Sequence, residues 1–206
     1  MAGARTLGKN QYVWLHASFG FHSLPDTFAA AYHGGFKNAL NYSGDPGIRT
    51  SISLAMGFWF ANDFQIPECL DQGGTNACPC GTPGFWNTNW FENIILIPTW
   101  VAQVCLLLGP SLSASELANC SLTTQRSFNT FSTGIVGVSN ITGANTLGIA
   151  SVGIDLGLFT SNASLVSNAY DRVHSEVLVK DGVKADGIRS DGSFGYLYIN
   201  ACPFVL

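Results

Sequence analysis

Flat aromatic rings stand among side-chain amides in the stretch Cys78-Pro-Cys-Gly-Thr-Pro-Gly-Phe-Trp-Asn-Thr-Asn-Trp-Phe-Glu92. Trp86, Trp90 and Phe91 offer apolar ring faces, and Asn87 and Asn89 offer amide donors and acceptors. A sugar ring needs this pairing. Its C–H face stacks on an aromatic ring while its hydroxyls exchange hydrogen bonds with amides. The same residues would equally serve as an aromatic core plug with Asn capping the helix that follows. A second group is Ile141-Thr-Gly-Ala-Asn145, where Gly143 lets the backbone come close to a ligand and Asn145 opens a helix. An amide donor beside the positive potential of a helix N-terminus favours an anion such as a carboxylate. A plain Asn N-cap is the alternative. The third group is Asp186-Gly-Ile-Arg-Ser-Asp-Gly-Ser-Phe-Gly195, in which two Asp-Gly turns bracket Arg189. A guanidinium there grips an acidic sugar bidentately, or stands as a solvated loop charge.

These loops need helices to hold them. Pro25 and Asp26 start a helix through Phe28, Ala31, Tyr32 and Phe36, ending near the Ser43-Gly-Asp-Pro-Gly turn. A second begins after Pro46, with Ile48, Ile52, Leu54, Ala55, Phe58 and Phe60 on a wide apolar face. A third covers about 89–108 and is kinked or interrupted at Pro98. Ser113 or Ser115 caps a fourth, and a fifth runs from Asn145 to Leu158. Ser161 or Asn162 caps a sixth through Val166, Ala169, Val173 and Val177. Period-two patterning is confined to a weak stretch from Glu176 to Val179. Helices and loops at this cadence predict an all-α fold of stacked helical hairpins, an α/α layered array. Connecting loops then gather on one rim, and the special sequences sit in 63–89, 139–146 and 179–195.

With 206 residues, 47% hydrophobic and only 11% charged, the chain can bury a full core and is not disordered. A net charge of −4, from 13 acidic and 9 basic residues without a basic cluster, argues against nucleic acid as a partner. Residues 94–109 are apolar but broken by Pro98 and Gln103, and short for a bilayer, so they read as a buried helix and no membrane partner is expected. Six cysteines, at 69, 78, 80, 105, 120 and 202, show no zinc-like spacing. A disulfide pinning the 69–80 loop is the expectation, which implies an oxidising compartment. Acceptor sequons at Asn41, Asn119, Asn140 and Asn162 point the same way, although the N-terminus carries no export-signal pattern.

Taken in order, these segments resemble polysaccharide lyase family 8, the hyaluronate, chondroitin AC and xanthan lyases. The resemblance rests on His33-Gly34-Gly35, Asn89-Trp90-Phe91, Thr142-Gly-Ala-Asn145 and Val183-Lys-Ala-Asp-Gly-Ile-Arg-Ser-Asp-Gly-Ser-Phe194. It extends over about residues 25–195, and the Cys-rich loop looks most like the fungal branch. Residues 1–24 are poorly patterned and 196–206 form a divergent tail. The resemblance implies an incomplete α/α toroid, without the β-sandwich domains of full-length members. It further implies β-elimination at a uronic acid, secretion, and neither cofactor nor metal. Asn145 matches the Asn that neutralises the C5 carboxylate, and Trp90 and Phe91 match the aromatic patch that positions the chain. Asn89, Trp86 and Arg189 complete the expected ligand contacts.

The sequence departs from the family where protons move. Members carry a His and a Tyr shortly after Asp-Gly-Ser-Phe; here no His follows Phe194, and Tyr196 and Tyr198 sit outside the family's motif. Gly148 stands where an acidic residue is common. His16, His22, His33 and His174 read as structural. The expectation is therefore a monomeric, truncated fragment that binds acidic polysaccharide with little or no turnover. A non-catalytic carbohydrate-binding domain is the alternative. A glycoside hydrolase would need paired carboxylates, for which Asp63, Glu68 and Asp71 qualify by location alone.

Overall fold

The computed structural model describes residues 23–35, 37–63, 90–135, 141–180 and 187–195. The chain divides into two compact units, Met1–Thr88 and Asn89–Leu206. In the first, helix α1 (Ser23–His33) packs against α2 (Pro46–Ala61). Helix α1 stops ten residues short of the Ser43 turn expected from its apolar pattern (43 − 33). Gly34 takes a left-handed φ of 89°, and the Gly34 and Gly35 N–H groups turn back onto Ala30 and Ala31 carbonyls. This glycine cap ends the helix, and a 3-10 turn (Lys37–Tyr42) follows. Helix α2 starts on Asp45, whose carboxylate accepts the Ile48 N–H at 2.9 Å, with Pro46 at the first turn. Ala29, Ala31, Ile52 and Met56 form the buried side of the pair.

The second unit opens with Trp90 and Phe91, a π turn (Glu92–Leu96) and α3 (Ile97–Leu108). The interruption predicted at Pro98 is real, but it lies in the preceding turn. Pro98 has no N–H for the carbonyl four residues back, and its ring crowds that carbonyl, so the turn before it widens. The Ser127 hydroxyl, buried on the neighbouring helix, donates to the Ile94 carbonyl that Pro98 cannot serve. The stretch Glu92–Ser111 is long and apolar enough in composition to cross a membrane, yet half of its apolar window packs inside the fold.

Helix α4 (Ala114–Thr133) begins with a capping box: Ser113 accepts the Glu116 N–H, and Glu116 accepts the Ser113 N–H at 2.8 Å. Buried Cys105 and Cys120 join α3 to α4 through a disulfide with Cα atoms 6.3 Å apart. The expected disulfide in 69–80 falls outside the described residues. Helix α5 (Gly143–Phe159) is apolar on every side and lies among α3, α4 and α6 (Ala163–Val177). Its glycines are contact points. A Cβ on Gly148 would stand 2.8 Å from an Ile95 methyl, one on Gly153 would overlap the Phe128 ring, and one on Gly157 would meet Val166 at 2.5 Å. Asn162 caps α6 by accepting the Leu165 N–H at 3.1 Å. In place of the expected strand, Glu176 and Val177 finish α6, and Val179 bridges to a small antiparallel hairpin, β1 (Gly187–Ile188) with β2 (Phe194–Gly195).

Candidate functional site

Two expected site segments, the start of α5 with Asn145 and the hairpin with Arg189, are linked at one end of the second unit. The π turn meets α5 at Gly148, near the start of that helix, and α3 continues along the remainder. The register of that contact is set by Ile95, four residues after Phe91, lying against Gly148, three residues after Asn145. Helix α6 returns antiparallel to α5, because the Glu176 carboxylate in its last turn accepts the Gly143 N–H at 2.6 Å. The hairpin bearing Arg189 follows α6 at that same end. Of the expected loop segments, 141–146 and 187–195 are joined at this end, while 64–89 falls outside the described residues.

Asn145 is the third residue of α5, two positions inside the helix, so it is not the N-cap; Thr142 takes that place. Its side chain is only 5% exposed, and its amide has no hydrogen-bond partner among the described residues. The amide atoms nevertheless keep some access to the surface, since Asp26 Oδ1 is the side-chain atom buried without a partner among the described residues. Trp90 and Phe91 are half-buried and pack edge-to-face, with ring centroids 6.4 Å apart and planes at 71°. Directly after them stands Glu92, whose carboxyl is pushed above its ordinary range by burial. Arg189 is partly exposed at the tip of the hairpin, where its N–H donates to the Ser193 carbonyl at 2.8 Å. Asp191 lies nearby. Its hydrogen bonds with Ser193, and then the Arg189 charge, hold its carboxyl below the usual range. Trp86 and Asn89 lie outside the described residues, as do Glu68 and Asp71. His33 and His174 are exposed on α1 and α6.

Two features of the rim escaped sequence reasoning. The helix N-terminus at Gly143 is not vacant for an external anion, since the Glu176 carboxylate already accepts its N–H. Glu176 had a legible signal: it falls on the helical register of Val166, Ala169 and Val173, the buried face of α6. Arg172 was also missed. Its guanidinium lies 4.8 Å over the Phe131 ring, a cation–π contact between α6 and α4.

No family model matches the chain, and no curated protein sequence does. Solved structures do. Paenibacillus xanthan lyase matches with a TM-score of 0.59 at 19% identity, over 91% of this chain and 15% of that one. Streptomyces coelicolor chondroitin AC lyase in complex with chondroitin sulphate matches with a TM-score of 0.61 at 15% identity, over 94% of this chain and 27% of that one. A point mutant of the same lyase matches at 0.60. The fold is that of these polysaccharide lyases. It is all-α, an incomplete α/α toroid, and it agrees with the family resemblance read from the motifs. The chain spans 15% of the length of the xanthan lyase and 27% of the chondroitin AC lyase. Gly148 now has a packing reason: the Ile95 methyl occupies the space that an acidic side chain would need to leave the helix.

Proposed function

We propose that this chain holds an acidic, uronic-acid-containing polysaccharide for β-elimination of the glycosidic bond. The carrying observation is the largely buried Asn145, joined through Glu176 and Lys180 to the Arg189 hairpin, on the helix against which the turn after Trp90–Phe91 packs. In this reading the amide hydrogen-bonds the C5 carboxylate and offsets its charge. That makes the C5 proton more acidic. The Trp90–Phe91 pair, with Trp86 and Asn89, stacks and orients the sugar, and Arg189 makes a second contact to an acidic group. Proton transfer needs a base and an acid that the family supplies as His and Tyr after Asp-Gly-Ser-Phe; neither motif is present in these residues. Absence of one such group typically costs ~10²–10⁴ in rate. Holding the polysaccharide is the part of the reaction that the residues present are proposed to supply, which also fits the alternative of a non-catalytic binding domain.

The chain is proposed to act as a secreted monomer. A buried disulfide supports an oxidising compartment, and the sequon residues Asn41 and Asn162 are exposed for glycan attachment. The test is titration of the chain with hyaluronan, chondroitin and xanthan, followed by calorimetry and by absorbance of the unsaturated uronate product. Binding that is lost in both Trp90→Ala and Asn145→Ala supports the reading. Equal affinity for a neutral polysaccharide would refute carboxylate recognition.

A further inference from the structure

Gly143 takes a left-handed φ of 61°, a conformation that favours glycine, and points its N–H at Glu176 Oε1 2.6 Å away. Glu176 is 5% exposed, and its other oxygen lies 3.3 Å from Lys180 Nζ. The Lys180 backbone N–H in turn donates to the Ile188 carbonyl at 2.7 Å, one residue before Arg189. Polar links therefore run unbroken from the first turn of α5, which carries Asn145, through the end of α6 to the hairpin that carries Arg189.

We propose that Glu176 and Lys180 form a strut that sets Asn145 and Arg189 in one ligand-holding geometry. The inference rests on the reading of those two residues as ligand contacts. Glu176 is a positioning residue: it touches the backbone of α5 and not the sugar. Sinking a carboxylate this far costs desolvation that an apolar residue at the same register would avoid. What the carboxylate supplies is direction, since a charge-assisted hydrogen bond fixes the Gly143 N–H and thereby the turn that aims Asn145. Lys180 has two roles. It completes the second oxygen of Glu176, and it cancels a negative charge that would otherwise repel an incoming uronate beside Asn145. With the Gly143 N–H already taken, the ligand carboxylate is left to the Asn145 side chain.

The experiment compares the full chain with Glu176→Gln, Glu176→Ala and Lys180→Met. Binding of a chondroitin hexasaccharide is measured by calorimetry, and the Asn145 side-chain amide and Arg189 backbone amide are followed by ¹⁵N NMR. Gln keeps an oxygen for the Gly143 N–H, so Glu176→Gln should bind within about threefold of the parent. Glu176→Ala should lose about tenfold or more, the size expected for a lost charge-assisted hydrogen bond, and should shift the Asn145 amide resonances. Lys180→Met, at a half-exposed position that tolerates substitution, should weaken binding and move the Arg189 resonance. Folded Glu176→Ala with parental affinity and an unmoved Asn145 amide overturns the strut. If Glu176→Ala does not fold, a Lys180→Met protein with unchanged affinity and Arg189 resonance overturns it instead. If the parent binds no hexasaccharide, the proposed function fails, and the Asn145 and Arg189 resonances alone then decide for or against the strut.

Discussion

Ser127→Ala isolates the bond that lets a proline sit inside a buried helix. The Ser127 hydroxyl is 1% exposed and reaches from α4 to the Ile94 carbonyl. Pro98, four residues after Ile94, has no N–H to give that carbonyl. Without the hydroxyl, a buried acceptor loses its side-chain donor, which costs about 1–3 kcal/mol. Removing one oxygen leaves almost no cavity, so packing adds little. For a chain of this size about 1 kcal/mol moves Tm by roughly 2–4 °C, giving an expected fall of about 2–12 °C. The decisive control is Pro98→Ala, which restores an N–H within reach of Ile94 along the helix. In that background the cost of Ser127→Ala should drop to about 0.5 kcal/mol or less, a coupling of about 1–2 kcal/mol between the two positions. Urea titrations followed by tryptophan fluorescence measure all four corners of the cycle. Equal costs of Ser127→Ala in both backgrounds would refute the account of the π turn.

Replacing Cys105 and Cys120 together by Ser should lower stability by about 3 kcal/mol, the loop-entropy effect of a cross-link spanning 15 residues. Calorimetry with and without reductant checks it, the reduced parent matching the double variant. Gly153→Ala should destabilise by about 1–3 kcal/mol because the Phe128 ring fills the space of the new methyl. Gly57→Ala, in α2 with no atom within 4 Å, should instead stabilise by about 0.5–1 kcal/mol. Thermal melts of the pair should move in opposite directions. Asp26 has an oxygen buried without a hydrogen bond, and burial pushes its carboxyl from 3.8 up to about 7. The folded state therefore holds this proton more tightly than the unfolded chain. Its stabilising effect is full below about 4 and is lost as pH rises to about 7. Asp26→Asn should abolish that slope, so its Tm advantage over the parent grows across this window; a constant difference would contradict the burial argument.

Helix identities were legible because short-range signals set them. Of the caps expected, Ser113 rather than Ser115 opens α4 and Asn162 rather than Ser161 opens α6, while α2 begins at Pro46 on an Asp45 cap. Of the candidate site, the link between the 141–146 and 187–195 segments is described, since α6 returns the chain to the start of α5. Some local signals were misread: Gly34 ended α1 early, and Asn145 sat inside its helix because Thr142 had already taken the cap. Glu92 went unnoticed as a site neighbour, for its burial is a property of what packs around it, whereas Glu176 falls on the buried register of α6 but its Gly143 partner does not show in sequence. The same limit explains the disulfide. Pairing Cys105 with Cys120 depends on α3 folding back on α4, and any pairing of six cysteines is consistent with sequence alone.

What the chain's residues determine unaided is where backbone must turn, cap or stay helical, because those choices depend on neighbours within about one helical turn. The tertiary structure alone decided that Ser127 donates to the Ile94 carbonyl, which Pro98 cannot serve, and that Glu176 accepts the Gly143 N–H at the start of α5. Each joins groups some thirty residues apart, and only the packing of one helix on another sets that distance.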